Sequence, residues 1–326
     1  MDKGILKLTP GYNTTYPVKN GIPFDLTAEY PHNMLYASEH SSPRDPVLGS
    51  VNPKLSKNRS DSYQWHSSDN EENYFRTKKE RRKNKQHDHT YKPYDFYYDV
   101  NKNGFRCDDF ETMDFSKKSI IYLGCSHTFG VGLPEEETWA YKVHKMTEEW
   151  QRTTYNYINL GSSGVGPDFY LHLTPYFKKL NPAYVFSYTP DIHRIMLVND
   201  DGWIFRCLPG MVEDASLIES FQSEYNMQAY KNLLMSGDNF FEYKKQISLG
   251  NINSLSEILN FKFTEIPTGG FVSEYMKEYD WVEEFNKTRY DEDGNEKENA
   301  RDDCHYPAKY HTMISKIIMS KLKENK

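Results

Sequence analysis

The stretch from Ile120 to Gly132, IIYLGCSHTFGVG, constrains the fold more than any other part of this chain. A short apolar run stops abruptly in small residues, with Gly130 and Gly132 close behind. That pattern marks a buried strand that turns sharply at its carboxyl end. Regular alternation follows. Glu135–Glu149 reads as a helix with Trp139, Val143 and Met146 on one face, and Tyr155–Leu160 as a strand. Asp168–Leu180 reads as a helix closed by Asn181-Pro182, and Ala183–Tyr188 as a third strand. Ile195–Cys207 has the pattern of a hairpin around Asp200-Asp201-Gly202. Helices are expected across Ala215–Met235 and in part of Phe240–Leu259, then a fourth strand over Phe261–Ile266. After a polar insertion at Asp291–Asn299, a helix from Ala308 to about Leu322 ends the chain. The alternation predicts a three-layer α/β/α domain around a mostly parallel sheet. Such sheets take ligands at the carboxyl ends of their strands, where Ser126 and Gly161 fall.

The preceding residues differ. The first fifty are strings of turns such as TPGYN, KNGIP and SSPRDP, and Ser56 to His89 is strongly polar. Residues 1–96 are therefore expected to form an irregular arm with a polar linker, either a flexible connector or a short solvent-facing helix over 56–89. This arm cannot bury a core of its own and is expected to lie across the main domain, 97–326, or across a protein partner. The net charge of −7 gives no reason to expect nucleic-acid binding, and Lys78–Lys85, KKERRKNK, reads as a solvated face. Cys107, Cys125, Cys207 and Cys304 are too scattered for a C-x-x-C unit, so neither a disulfide framework nor a metal site is implied, and no cofactor. With no signal peptide and no membrane span, the chain is expected to be soluble. Aromatic residues reach 15%, with 26 tyrosines, a composition that suits both sugar-binding clefts and ordinary tyrosine-rich cores.

A serine hydroxyl needs a base within hydrogen-bond reach and backbone donors for the oxyanion that develops. Gly124-Cys125-Ser126 supplies a turn that can expose such a hydroxyl. Asp302-Asp303-Cys304-His305 leads into the last helix, and an aspartate three residues before a histidine can fix its tautomer. Asp302 and Asp303 also read as helix caps. Spacing favours Asp302 over Asp303, and His311 reads as a packing or surface histidine.

Together these segments resemble the SGNH, or GDSL-like, hydrolase superfamily over about Asn101 to Lys321. Asn103-Gly104-Phe105-Arg106 is similar to a lead-in before the first strand, and LGCSHTFGVGLPEEETW, residues 123–139, to the first block. Asn159-Leu160-Gly161-Ser162-Ser163-Gly164 resembles the second block, and Asp302-x-x-His305-Tyr306-Pro307 the last. The resemblance implies Ser126 as nucleophile, His305 as general base and then acid, and Asp302 as its orienting carboxylate. It implies the amides of Ser126 and Gly161 as oxyanion donors. Two departures stand out. Cys125 occupies the position where the family has aspartate, and the third block's asparagine is missing from Ser187-Tyr188-Thr189-Pro190-Asp191-Ile192-His193-Arg194. Thr189, His193 or Arg194 is the candidate replacement donor. The expected function is a serine esterase acting on an acylated carbohydrate or small ester. The alternative is an inactive SGNH-fold subunit of a larger assembly, such as a virus particle, with the arm wrapping a neighbour.

Overall fold

The computed structural model describes residues 5–7, 15–17, 58–59, 61–66, 69–84, 90–92, 95–101, 103–198, 204–207, 224–235, 237–266, 300–302 and 305–324. Two small antiparallel pairings come first. Ile5–Lys7 (β1) pairs with Thr15–Pro17 (β2), and Asp61–Tyr63 (β3) with Tyr98–Val100 (β4). The main sheet contains Ser119–Gly124 (β5), Asn156–Asn159 (β6), Pro182–Tyr188 (β7) and Lys262–Ile266 (β10), in the order β10-β7-β5-β6. All of its pairings are parallel, with Ile121 opposite both Ile158 and Val185. The chain passes from β5 to β6 at one edge and then crosses back to β7 on the other side. The strand order therefore reverses about β5, and the crevice such a reversal opens lies at the carboxyl end where Ser126 stands.

Alternate residues of β5 serve opposite faces, as the two-residue period of a strand requires. Ile121 and Leu123 join Phe169, Leu173, Phe177, Leu249 and Ile252 in one buried cluster. Ile120 and Tyr122 join Trp139, Val143, Ile314 and Ile318 in the other. Helices thus cover both faces: Phe169–Leu173 (α4), Phe177–Leu180 (α5) and Asp238–Leu259 (α7) on the first, Trp139–Gln151 (α3) and Ala308–Glu324 (α8) on the second. The expected three-layer α/β/α architecture is present.

The elements differ from expectation in detail. Asp168–Leu180 is not one helix, because Pro175 sits in a 3-10 turn, Thr174–Tyr176, that separates α4 from α5. A proline there removes a donor and forces the tighter turn. The helix after Glu135–Glu137 starts at Trp139, where the Thr138 side chain accepts from the Tyr141 N–H. The hairpin forms from Ile195–Val198 (β8) and Ile204–Cys207 (β9), with its tip outside the described residues. Glu224–Met235 (α6) covers only the second half of the helix expected from Ala215, whose first half also lies outside them, as does the insertion at 291–299.

Within the polar linker a capped helix, Glu71–Lys83 (α1), runs from Asn70, whose side chain accepts from the Asn73 N–H. It buries Tyr74, Thr77 and Arg81 and places Arg82 and Lys83, both exposed, at the end where cations oppose the helix dipole. Since β3 pairs with β4, residues on either side of position 96 share one small sheet. Phe96, Tyr98 and Val100 pack directly against Phe129 and Val131 of the loop that follows Ser126.

Candidate active site

Ser126 opens a one-turn helix, Ser126–Phe129 (α2), immediately beyond β5. Its residue is 7% exposed, so the hydroxyl lies at the floor of a surface rather than on it. The first N–H groups of a helix have no partner within it. Those of Ser126 and His127 carry no hydrogen bond among the described residues, which leaves them as donors to a ligand. The turn is held from below by Arg106, fully buried. Its Nη1 donates to the carbonyls of Phe129 (3.2 Å) and Gly130 (2.9 Å), and its Nη2 to those of Leu133 (3.0 Å) and Tyr97 (3.4 Å). Bonds of this charge-assisted kind contribute about 1.5–3 kcal/mol each. Asn101 Oδ1 accepts from the amides of Asn103 and Phe105, both at 3.0 Å, and so shapes the Asn103–Arg106 lead-in that delivers the clamp.

Asp302 and His305 lie together at the entrance of α8. The His305 amide donates to Asp302 Oδ1 at 3.1 Å, and His305 Nδ1 lies 2.5 Å from Asp302 Oδ2. With Nδ1 donating to the buried carboxylate, Nε2 keeps its lone pair. Asp303 and Cys304 lie outside the described residues. The contact between this pair and the Ser126 turn runs through His127, whose ring centroid is 5.0 Å from that of His305. Among the described residues no hydrogen bond joins Ser126 to His305.

His127 is stacked on Tyr306 (4.5 Å) and has its Nδ1 buried. Burial first, and then the charges of His305, His311 and Arg194, hold its pKa well below the usual histidine range. Cys125, beside it in sequence, is buried in the core. His311 is buried rather than on the surface. Its Nδ1 accepts from the Trp139 N–H at 3.0 Å, and burial pushes its pKa down to about 3.

The oxyanion side is different. Gly161 lies hard against α2, where a Cβ would sit 2.4 Å from Phe129 N. Its own N–H donates to Asn159 Oδ1 at 2.9 Å, so the amide that the resemblance assigns to the oxyanion is engaged within its own turn. Asn159 also reaches across, its Nδ2 donating to the Thr128 carbonyl at 2.9 Å. Sequence reasoning quoted Asn159 and Arg106 as motif letters and missed both as braces. A buried arginine flanked by Phe105 and Cys107 was the available signal.

Of the three candidate donors, Thr189 donates its hydroxyl to Glu265 Oε1 at 3.0 Å. His193 is held between two carboxylates, Nδ1 at 3.1 Å from Asp191 and Nε2 at 2.8 Å from Asp238. Burial opposes its protonation, but the hydrogen bonds to Asp238 and Asp191 prevail and raise its pKa. The charge of Arg194 is among those that lower the His127 pKa.

No family model matches the sequence, and no curated protein matches it. Solved structures do match in part. The psychrotrophic esterase EstA from Pseudoalteromonas sp., in a structure inhibited by monoethylphosphonate, is 14% identical over 64% of this chain and 97% of its own, with a TM-score of 0.29. A two-domain esterase active on acetylated mannans is 18% identical over 64% of this chain and 50% of its own, at 0.30. A putative lipolytic protein of the G-D-S-L family from Desulfitobacterium hafniense DCB-2 is 13% identical over 61% and 96%, at 0.24. The matched part spans about half the length of the two-domain esterase. No helix among the described residues is long and apolar enough to cross a membrane.

Proposed function

We propose that this chain is a serine ester hydrolase acting through an acyl-enzyme, with an O-acyl group on a carbohydrate as substrate. The observation that carries the reading is the Asp302–His305 pair, 2.5 Å apart, abutting the Ser126 turn at the carboxyl end of the sheet. Ser126 Oγ attacks the ester carbonyl while His305 Nε2 takes its proton. Asp302 holds the imidazole and stabilises the charge that forms. The tetrahedral oxyanion takes the amide of Ser126, with Arg194 as a candidate further donor. His305 then gives its proton to the departing alkoxide, and a water, deprotonated by the same imidazole, releases the acid. The sugar preference rests on the tyrosine-rich composition.

The rival reading, a binding subunit on an SGNH-like scaffold, is favoured by one observation: the Gly161 amide and the Thr189 hydroxyl are both engaged elsewhere. A fluorophosphonate probe and p-nitrophenyl acetate separate the two. Labelling and turnover by the wild type, lost in Ser126→Ala, is the expected result. A correctly folded wild type that does neither would leave the binding role standing.

A further inference from the structure

The residues ahead of the SGNH-like domain reach the site through a buried ion pair. Arg301, the residue next to Asp302, is fully buried, and so is Asp69. Arg301 Nε lies 3.0 and 2.9 Å from the two oxygens of Asp69, and Nη2 lies 2.7 Å from Oδ2 and 2.6 Å from the Gln64 carbonyl. The guanidinium also packs over the rings of Phe96 (3.9 Å) and Trp65 (4.3 Å). A buried arginine held in this way has no freedom to move the backbone that carries it.

The same carboxylate continues toward the nucleophile loop. Tyr98 Oη donates to Asp69 Oδ2 and accepts from the Gly132 N–H at 2.7 Å. Gly132 in turn accepts from the Arg301 N–H at 2.9 Å. Gly132 has φ +78°, and a Cβ there would sit 2.6 Å from Ala300 Cβ and 3.1 Å from Asp302 Oδ1. The loop beyond Ser126 and the loop bearing Asp302 therefore touch at this glycine, and Asp69, Tyr98 and Arg301 close a ring around the contact. A second tie comes from His66, buried, with Nε2 3.0 Å from Ser163 Oγ in the Gly161–Gly164 turn.

We infer that Asp69, acting through Arg301 and Tyr98, is a positioning residue that sets Asp302 and His305 against the Ser126 turn. Residues 61–100 are then a working part of the site rather than an appendage. The inference rests on the proposed hydrolase chemistry for its kinetic reading only. Breaking such a pair from one side leaves an uncompensated buried charge, and Asp302 is the carboxylate adjacent in sequence to Arg301.

The test compares the full chain with Asp69→Asn and Tyr98→Phe. The rate of fluorophosphonate labelling, kcat and KM on p-nitrophenyl acetate, and the low-field proton resonance of His305 Nδ1–H are measured. Asp69→Asn is expected to slow labelling and kcat at least tenfold with KM within twofold, and to move the His305 resonance upfield. Tyr98→Phe keeps the ring and is expected to give a smaller change in the same direction. It decides the matter if Asp69→Asn does not fold. Folded variants with wild-type labelling and an unmoved His305 resonance would overturn the inference. A wild type that fails to label sinks the hydrolase reading alone, since the His305 resonance still reports whether Asp69 positions the pair.

Discussion

The two halves of the candidate site are built to different standards. On the acid–base side, Asp302 and His305 are joined twice, at 3.1 and 2.5 Å, and Asp302 is wholly buried. On the oxyanion side, Gly161 donates to Asn159, Thr189 donates to Glu265, and His193 is taken by Asp191 and Asp238. Among the described residues, the amides of Ser126 and His127 at the start of α2 are without a hydrogen bond. On the proposed hydrolase reading, such a site generates a nucleophile better than it stabilises what the nucleophile produces. Preorganised donors account for much of an enzyme's rate enhancement, so slow turnover is the expected behaviour.

The largest expected effect strikes the stronger half. Asp302→Asn keeps the shape but inverts the hydrogen bond to His305, and kcat should fall about 10³–10⁴-fold through loss of the productive tautomer. A fall of less than about tenfold would show that the pair does not serve as base and orienter. The weaker half is tested by adding to it. Thr189→Asn supplies the amide that the third strand lacks. A correctly aimed donor is worth about 10²–10³ in rate, and a gain in kcat of about tenfold with little change in KM is expected, since the loss of the Glu265 contact offsets part of it. No gain would mean that the shortage of donors is not what limits the rate.

The smallest effect concerns stability. His311 is uncharged in the fold, with its pKa pushed down to about 3 by burial. The unfolded chain binds a proton there at an ordinary pKa of about 6.5, while the folded chain does not. Its contribution to stability is therefore complete above that pH and is lost as the pH falls toward 3, at up to about 1.4 kcal/mol per pH unit. Equilibrium unfolding between pH 7 and 4 should show this slope in the wild type. His311→Asn retains an acceptor for the Trp139 N–H and should flatten the slope by close to one proton.

Sequence reading located the stronger half more readily than the weaker for a physical reason. Asp302 and His305 are three positions apart, so their meeting depends only on the local entry to α8. Strands and amphipathic helices are equally local, which is why the sheet and its covering helices were legible. The availability of a donor is not local. Thr189 and Glu265 are 76 positions apart, and no residue type reveals whether a hydroxyl is already engaged. Gly161 was identified as an amide at a strand end, but the path of its turn, which directs that amide to Asn159, follows from packing against α2. The polar stretch from Ser56 looked unable to fold because its apolar partners, Phe129 and Val131, belong to a later segment.

Arg301 and Asp69 are separated by 232 positions. During synthesis Asp69 leaves the ribosome long before its counter-ion exists. Until Ala300–Asp302 arrive, Asp69 has no arginine to pair with and the Gly132 carbonyl lacks the Arg301 N–H. Such long-range closures are late and slow in folding. Nascent chains that end before Ala300 therefore lack both this ion pair and the α8 side chains, Ile314 and Ile318 among them, that cover one face of the sheet.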